Sequence, residues 1–422
     1  MHLSLLDLPL SPLLQTLLIL SIIIVASKGA GALSKLIGQP AVLGELTVGL
    51  ILGPTALSLL HWAPFTQTEL LGNLIKYLAE LGVIFLMFLA GLETDIFEMK
   101  KVGLASFTGA TGGVVLPFIA GTFISRYVGG YDWFPSIFIG TILTATSVSI
   151  SAQTLMELGK LKSKAGLTIL GAAVIDDVMG IILLSVVIAM HAATGGNAAD
   201  PVWWVVVKMV TYFVVFVGFG RKVVPWLIRM AAKWEGTETG FAMAIVLALM
   251  FAFFAEAFGK VAAITGAYIV GVLIAQEHDI VHKVVERISV TAYGFFVPIF
   301  FVSIGLEADA VKALSANPWL ALWIVLAAIF TKVIGSGIGV RLVGFDTNES
   351  MRVGVGMISR GEVALIVSNI GLVAGVINND IFSVMVIMTL ATTLITPILL
   401  RVVFKRSGGG APPPKLAKSP GH

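Results

Sequence analysis

Thirteen apolar stretches of helical length follow one another along this chain, at about residues 12–34, 40–59, 71–92, 101–125, 134–157, 164–192, 203–231, 238–258, 260–276, 286–306, 317–342, 350–374 and 380–403. Crossing the hydrocarbon takes about 20 helical residues, and only helices or closed barrels satisfy every backbone polar group there. The succession predicts an all-α, multi-pass membrane protein with 13 transmembrane helices, of which the second and ninth are short. An odd count puts the two termini on opposite sides. The composition agrees, at 57% hydrophobic and 12% charged residues, and it excludes an ordinary soluble enzyme. A net charge of +3 is too small to suggest nucleic acid as a partner, and the absence of cysteine removes disulfides and thiolate metal sites. The first run, Leu13 to Val25, has neither a basic leader nor a convincing cleavage site, so it reads as a retained span.

Orientation follows from the bias of Lys and Arg toward cytoplasmic loops. With the N-terminus outside, 20 of the 27 basic residues fall on the cytoplasmic side and 5, Lys76, Arg126, Lys208, Lys260 and Lys312, on the outer side. The remaining two, Lys332 and Arg360, lie inside spans. The expected topology is N-out and C-in. Trp62, Trp133, Trp203, Trp204 and Trp319 fall at outer helix ends, as in an interfacial aromatic belt. The Gly- and Pro-rich tail, 406–422, reads as a disordered cytoplasmic end.

Two segment pairs echo each other seven spans apart. Thr47-Val48-Gly49-Leu50-Ile51-Leu52 matches Ile269-Val270-Gly271-Val272-Leu273-Ile274, and Gly91-Leu92-Glu93-Thr94-Asp95 matches Gly305-Leu306-Glu307-Ala308-Asp309. Because seven is odd, the second copy enters the membrane from the opposite side. This predicts two inverted six-helix repeats, spans one to six and eight to thirteen, joined by span seven. Secondary transporters use this architecture, with the site where discontinuous helices of the two halves meet.

By the same offset the fifth and twelfth spans are partners, and both are unusual. The fifth holds Thr141, Thr144, Thr146, Ser147, Ser149 and Ser151; the twelfth holds Gly354, Gly356, Ser359, Arg360, Gly361 and Glu362. Such sequences permit local unwinding, which is tolerated at membrane depth where backbone lines a cavity or lies within protein. Crossed, interrupted helices leave half-helix dipoles that need compensating charge, and Arg360 and Glu362 are placed to supply it, or to take part in ion transfer. Thr146 and Ser147 are candidate ion contacts; hydroxyls at a packing seam are the alternative.

Asp176 and Asp177 stand together in the otherwise uncharged run Ala165 to Met190. A carboxylate at that depth costs roughly 2.5–3.5 kcal/mol even on the lenient insertion scale, so a pair points to ion or proton handling. Lys332, also within a span, needs a partner. Neighbouring positions on a helix point about 100° apart, so one acid can face Lys332 while the other faces a wet opening. The ion pair is either a permanent brace or a link that breaks and reforms.

Gly44-Glu45-Leu46 through Gly49 to Leu52-Gly53-Pro54, Thr144-Ala145-Thr146-Ser147, Gly171-Ala172-Ala173-Val174-Ile175-Asp176-Asp177, Thr331-Lys332 and Ser359-Arg360-Gly361-Glu362 closely resemble the monovalent cation:proton antiporter-2 family, especially its NapA-type sodium/proton antiporters. The likeness covers about residues 12–404. It implies a homodimer in which scaffold helices, 1–100 and 238–308, flank a core of 101–192 and 309–405, with 193–237 as linker. It also implies that Asp177 is the main Na+ and proton carboxylate, that Asp176 pairs with Lys332, and that the core moves like an elevator. Potassium relatives of this family usually have glutamine in place of the first acid and append a nucleotide-binding domain. Keeping Asp176 without such a domain favours sodium.

The expected function is exchange of Na+, with Li+ a further substrate, for H+ across a bilayer by electrogenic alternating access. No cofactor is expected beyond the transported ions. A bacterial inner membrane is the expected location, with a thylakoid or other internal membrane as the alternative. A K+/H+ antiporter of the same family is the first alternative, and a cation channel is a second. An organic-anion symporter fits poorly because the central acids attract cations. No catalytic triad or metal cluster is visible around His61, His191, His278 and His282.

Overall fold

The computed structural model of the protein describes residues 10–94, 101–195, 201–232, 238–306 and 317–405. Asp95, Lys100, Glu307 to Asp309, Lys312 and the tail from 406 lie outside them, as does the side chain of Glu362. The described residues form α1 (Pro12–Leu36), α2 (Ala41–Leu52), α3 (Thr68–Leu92), α4 (Gly103–Tyr127), α5 (Trp133–Thr144), α6 (Val148–Glu157) and α7 (Lys164–Gly195). They continue with α8 (Val202–Tyr212), a π turn (Phe213–Phe219), α9 (Gly220–Ala232), α10 (Thr239–Ala257), α11 (Ala263–Ile274) and α12 (His278–Thr291). A second π turn (Ala292–Phe296) leads to α13 (Val297–Leu306), α14 (Pro318–Arg341), α15 (Thr347–Gly356), α16 (Glu362–Val373) and α17 (Asn379–Lys405).

Ten of the helical segments among these residues are long and apolar enough to cross a membrane, counting α5–α6, α8–α9 and α12–α13 as one each. Three further apolar helices, α2, α11 and the 363–372 part of α16, are shorter. They fall within the expected spans 40–59, 260–276 and 350–374. Local signals set several ends. Ser11 accepts a hydrogen bond from the Leu14 N–H ahead of Pro12, and Asn317 does the same for Leu320 ahead of Pro318. Both satisfy a donor that a helix start leaves open. The five tryptophans of the expected belt are all exposed.

Helices here pack through glycine, which lets backbones touch where membrane helices have no hydrophobic force to join them. Along the α4–α14 seam a Cβ on Gly112 would lie 2.1 Å from the Gly335 carbonyl oxygen, and one on Gly339 would lie 2.1 Å from that of Thr108. Gly91 of α3 meets Gly271 of α11, and Gly305 of α13 meets Gly49 of α2, again backbone on backbone. Gly112→Ala forces two main chains apart. Overpacking of that kind costs about 1–3 kcal/mol, so the detergent-solubilised variant should unfold at lower temperature than the parent. An unchanged melting profile would mean that the seam yields freely.

Candidate ion-binding site

The fifth and twelfth spans are both broken, and the breaks meet. Between α5 and α6 the chain is non-helical over residues 145–147, and between α15 and α16 over 357–361. The Ser147 N–H donates to the Ser359 carbonyl at 2.8 Å, and the Ser359 hydroxyl donates back to the Ser147 carbonyl at 2.6 Å. Ser151 donates to the Gly356 carbonyl at 2.6 Å and lies 3.0 Å from the Ser359 hydroxyl. Backbone groups released from helical bonding thus satisfy one another, as burial requires. Gly361 must be glycine for this approach, since a Cβ there would sit 2.7 Å from the Ser147 hydroxyl oxygen.

Arg360 is fully buried at this crossing. Its Nη2 donates to the Leu143 carbonyl at 2.7 Å, and its Nη1 donates to the Ile358 carbonyl. Leu143 lies in the last turn of α5 and Ile358 just beyond α15. One guanidinium therefore serves the negative C-terminal ends of two half-helices, where cations are favoured. Thr392 and Thr393 of α17 hold the Arg360 backbone N–H and carbonyl. The backbone of Glu362 opens α16. Thr146 and Ser147 are buried and bonded locally, Thr146 to the Thr144 carbonyl at 3.4 Å and Ser147 to the Ser149 hydroxyl at 3.0 Å.

Lys332 of α14 reaches Asp176 of α7, with Nζ 3.0 Å from Oδ1 and both side chains out of solvent. Gly113 of α4 packs beside this pair, where a Cβ would stand 2.4 Å from the Ser336 hydroxyl oxygen. Asp177, one position on, faces elsewhere. It lines a crevice shared with Thr141 and Thr144 of α5, Gly180 and Leu184 of α7, and Val363 and Val367 of α16. The Thr265 hydroxyl of α11 donates to Asp177 Oδ2 at 3.0 Å.

The crevice extends from Asp177 toward the end of the molecule that carries the start of α5 and the finish of α7. The finish of α6 lies toward the opposite end. There Glu157, the last residue of α6, accepts from the Ala41 N–H at 2.6 Å and is steadied by Gln153 at 2.9 Å. Helix α2 has no side-chain cap of its own, so this carboxylate supplies one from another helix.

The structure thus brings Asp176 to Lys332, Arg360 to the crossing, and Asp177 to the crevice. Thr265, Ser151, Thr392 and Thr393 join them without having been singled out as contacts from the sequence. Ser151 and Ser359 at least lay in the hydroxyl- and glycine-rich segments. For Thr265 the sequence held no signal.

A family model described as sodium/hydrogen exchanger, transmembrane, matches residues 19–406. The "Probable Na(+)/H(+) antiporter GerT" of Bacillus cereus is 41% identical over 385 residues, which span 91% of this chain and 98% of that protein. The "Na(+)/H(+)-K(+) antiporter GerN" of the same organism is 39% identical, over 91% of this chain and 95% of that protein. Among solved structures, the sodium proton antiporter MjNhaP1 of Methanocaldococcus jannaschii superposes with a TM-score of 0.68 at 16% identity, covering 93% of this chain and 99% of that one, so the fold is shared. The chain belongs to the transmembrane sodium/hydrogen exchanger family, whose members are integral, multi-pass transporters and not enzymes.

Proposed function

We propose that the protein exchanges Na+ for H+ across its membrane, with Asp177 as the seat that the two ions occupy in turn. The observation that carries this is the position of Asp177, which lines the crevice while the adjacent Asp176 is locked to Lys332. A carboxylate offers a hard cation the oxygen ligand it prefers, and Thr141 and Thr144 stand in the same crevice. A proton competes for the same carboxylate oxygens, so it can displace the cation. An unloaded carboxylate is expensive to move through hydrocarbon, which makes exchange obligatory and speaks against a channel.

The motion in this reading is an elevator. The core is α4 to α7 with α14 to α17, and it slides against a scaffold of α1 to α3 with α10 to α13. Support comes from the glycine contacts: Gly49 meets Gly305 and Gly91 meets Gly271, so replacing each segment by its sequence echo turns one contact into the other. That reciprocal contact is what an inverted repeat requires. With the N-terminus outside, the crevice faces outward, and Glu157 on Ala41 is the closed inner gate. A homodimer joined through the scaffold and a bacterial plasma membrane complete the proposal, which invokes no resident cofactor. The GerN name includes K+, so potassium transport is the second reading.

The test is purified protein in liposomes containing a fluorescent pH indicator, with Na+, Li+ or K+ added across a pH series. Proton flux on adding Na+ and Li+ but not K+ is expected. Flux with K+ in place of Na+ would make the potassium reading the correct one, and silence with all three would end the antiport proposal. If Lys332 releases its proton during the cycle, two protons move per cation and an imposed membrane potential changes the rate. Rates indifferent to potential would remove that version.

A further inference from the structure

We infer that Thr265 is a positioning residue, holding Asp177 in its ion-receiving orientation from the half of the protein that does not travel with it. The inference rests on Asp177 as the exchange site and on the core–scaffold division proposed above.

Threonine hydroxyls within helices normally bond back to the carbonyl four residues earlier. That is where Thr47, Thr122, Thr154, Thr331 and Thr396 donate here. Thr265 differs because it lies in the first turn of α11, so the residue four earlier, Val261, precedes the helix. Its hydroxyl is turned across the inter-helix gap to Asp177 Oδ2, while the residue itself is buried at 2% exposure. A hydroxyl so placed has no local reason to adopt that direction. The carboxylate is what it serves.

Its platform is rigid. A Cβ on Gly266, the next residue, would lie 2.3 Å from the Phe251 carbonyl oxygen of α10, and one on Gly271 would lie 2.4 Å from that of Phe88 on α3. With α11 wedged between α10 and α3, and with the stiff χ1 of a β-branched side chain, the hydroxyl cannot follow a moving partner. Hydrogen bonds are lost once donor and acceptor part beyond about 3.5 Å. Displacement of α7 past α11 therefore strips Asp177 of this donor. The acid is oriented for a cation arriving through the crevice and is unsupported by Thr265 when it faces the other solution, so the protein handles the cation differently on its two faces.

The experiment compares Thr265→Val and Thr265→Ser with the parent in vesicles of known orientation, presenting Na+ from the crevice face or from the opposite face. Thr265→Val keeps the shape and removes the donor. It should raise the half-saturating Na+ concentration roughly tenfold on the crevice face, the scale of a hydrogen bond to a charged group, and leave the opposite face and the maximal rate unchanged. Thr265→Ser should restore the parent value. Equal shifts on both faces, no shift on either, or failure of serine to rescue would overturn the inference. Asp177→Asn is run alongside. If Asp177→Asn still exchanges, the site reading itself has failed; if it is silent while Thr265→Val matches the parent on both faces, the Thr265 role alone has failed.

Discussion

Asp177→Asn should abolish Na+-driven proton flux, by roughly a hundredfold or more, in a protein that still folds. Asparagine has the shape of aspartate and keeps an oxygen that can accept from Thr265, so the crevice walls need not move. What it lacks is charge. Neutral at every working pH, it gives a cation no counter-charge and offers a proton no seat. Removing one partner of a buried charge interaction costs on the order of 2–5 kcal/mol, and each 1.4 kcal/mol is a factor of ten. The measurement is pH-indicator fluorescence in liposomes, with size-exclusion chromatography and thermal unfolding as controls. Exchange at parental rates would take the acid out of the mechanism.

The other large effect is expected at the buried pair. Lys332→Gln leaves Asp176 without the ammonium 3.0 Å away, in a place that excludes solvent. Stranding one member of such a pair costs about 3–5 kcal/mol, so the single variant should lose thermal stability sharply. Adding Asp176→Asn removes the stranded charge, and the double variant should recover most of the loss while its transport becomes insensitive to membrane potential. If the single variant is as stable as the parent, the pair is not a brace. If the double variant transports with the parental voltage response, Lys332 moves no proton in the cycle.

Much of this site was legible because membrane burial makes polar residues conspicuous. Asp176, Asp177, Lys332 and Arg360 each stand within apolar runs of the sequence, where an unneutralised charge is too costly to be incidental. Hydroxyls and glycines crowded into the fifth and twelfth spans announced the two breaks, now seen at 145–147 and 357–361. The geometry of the crossing was not legible. Which carbonyl each serine meets depends on the angle between two half-helices, and nothing local encodes that angle. Thr265 was invisible for a related reason. A threonine in an apolar helix is ordinary, and what distinguishes this one is a helix start that frees its hydroxyl and a carboxylate 88 positions away in the chain.

The backbone contacts at Gly49–Gly305, Gly91–Gly271 and Gly112–Gly335 also say where the molecule can give. Surfaces interlocked main chain to main chain have no soft padding, and sliding one past the other would drive peptide groups into each other. They behave as welds. Compliance must come instead from faces lined by long side chains that can change rotamer, such as the one where Met156 of α6 meets Tyr293. A mechanical load on the protein, whether from bilayer thickness or lateral tension, should be felt at such greasy faces first and at the welds last.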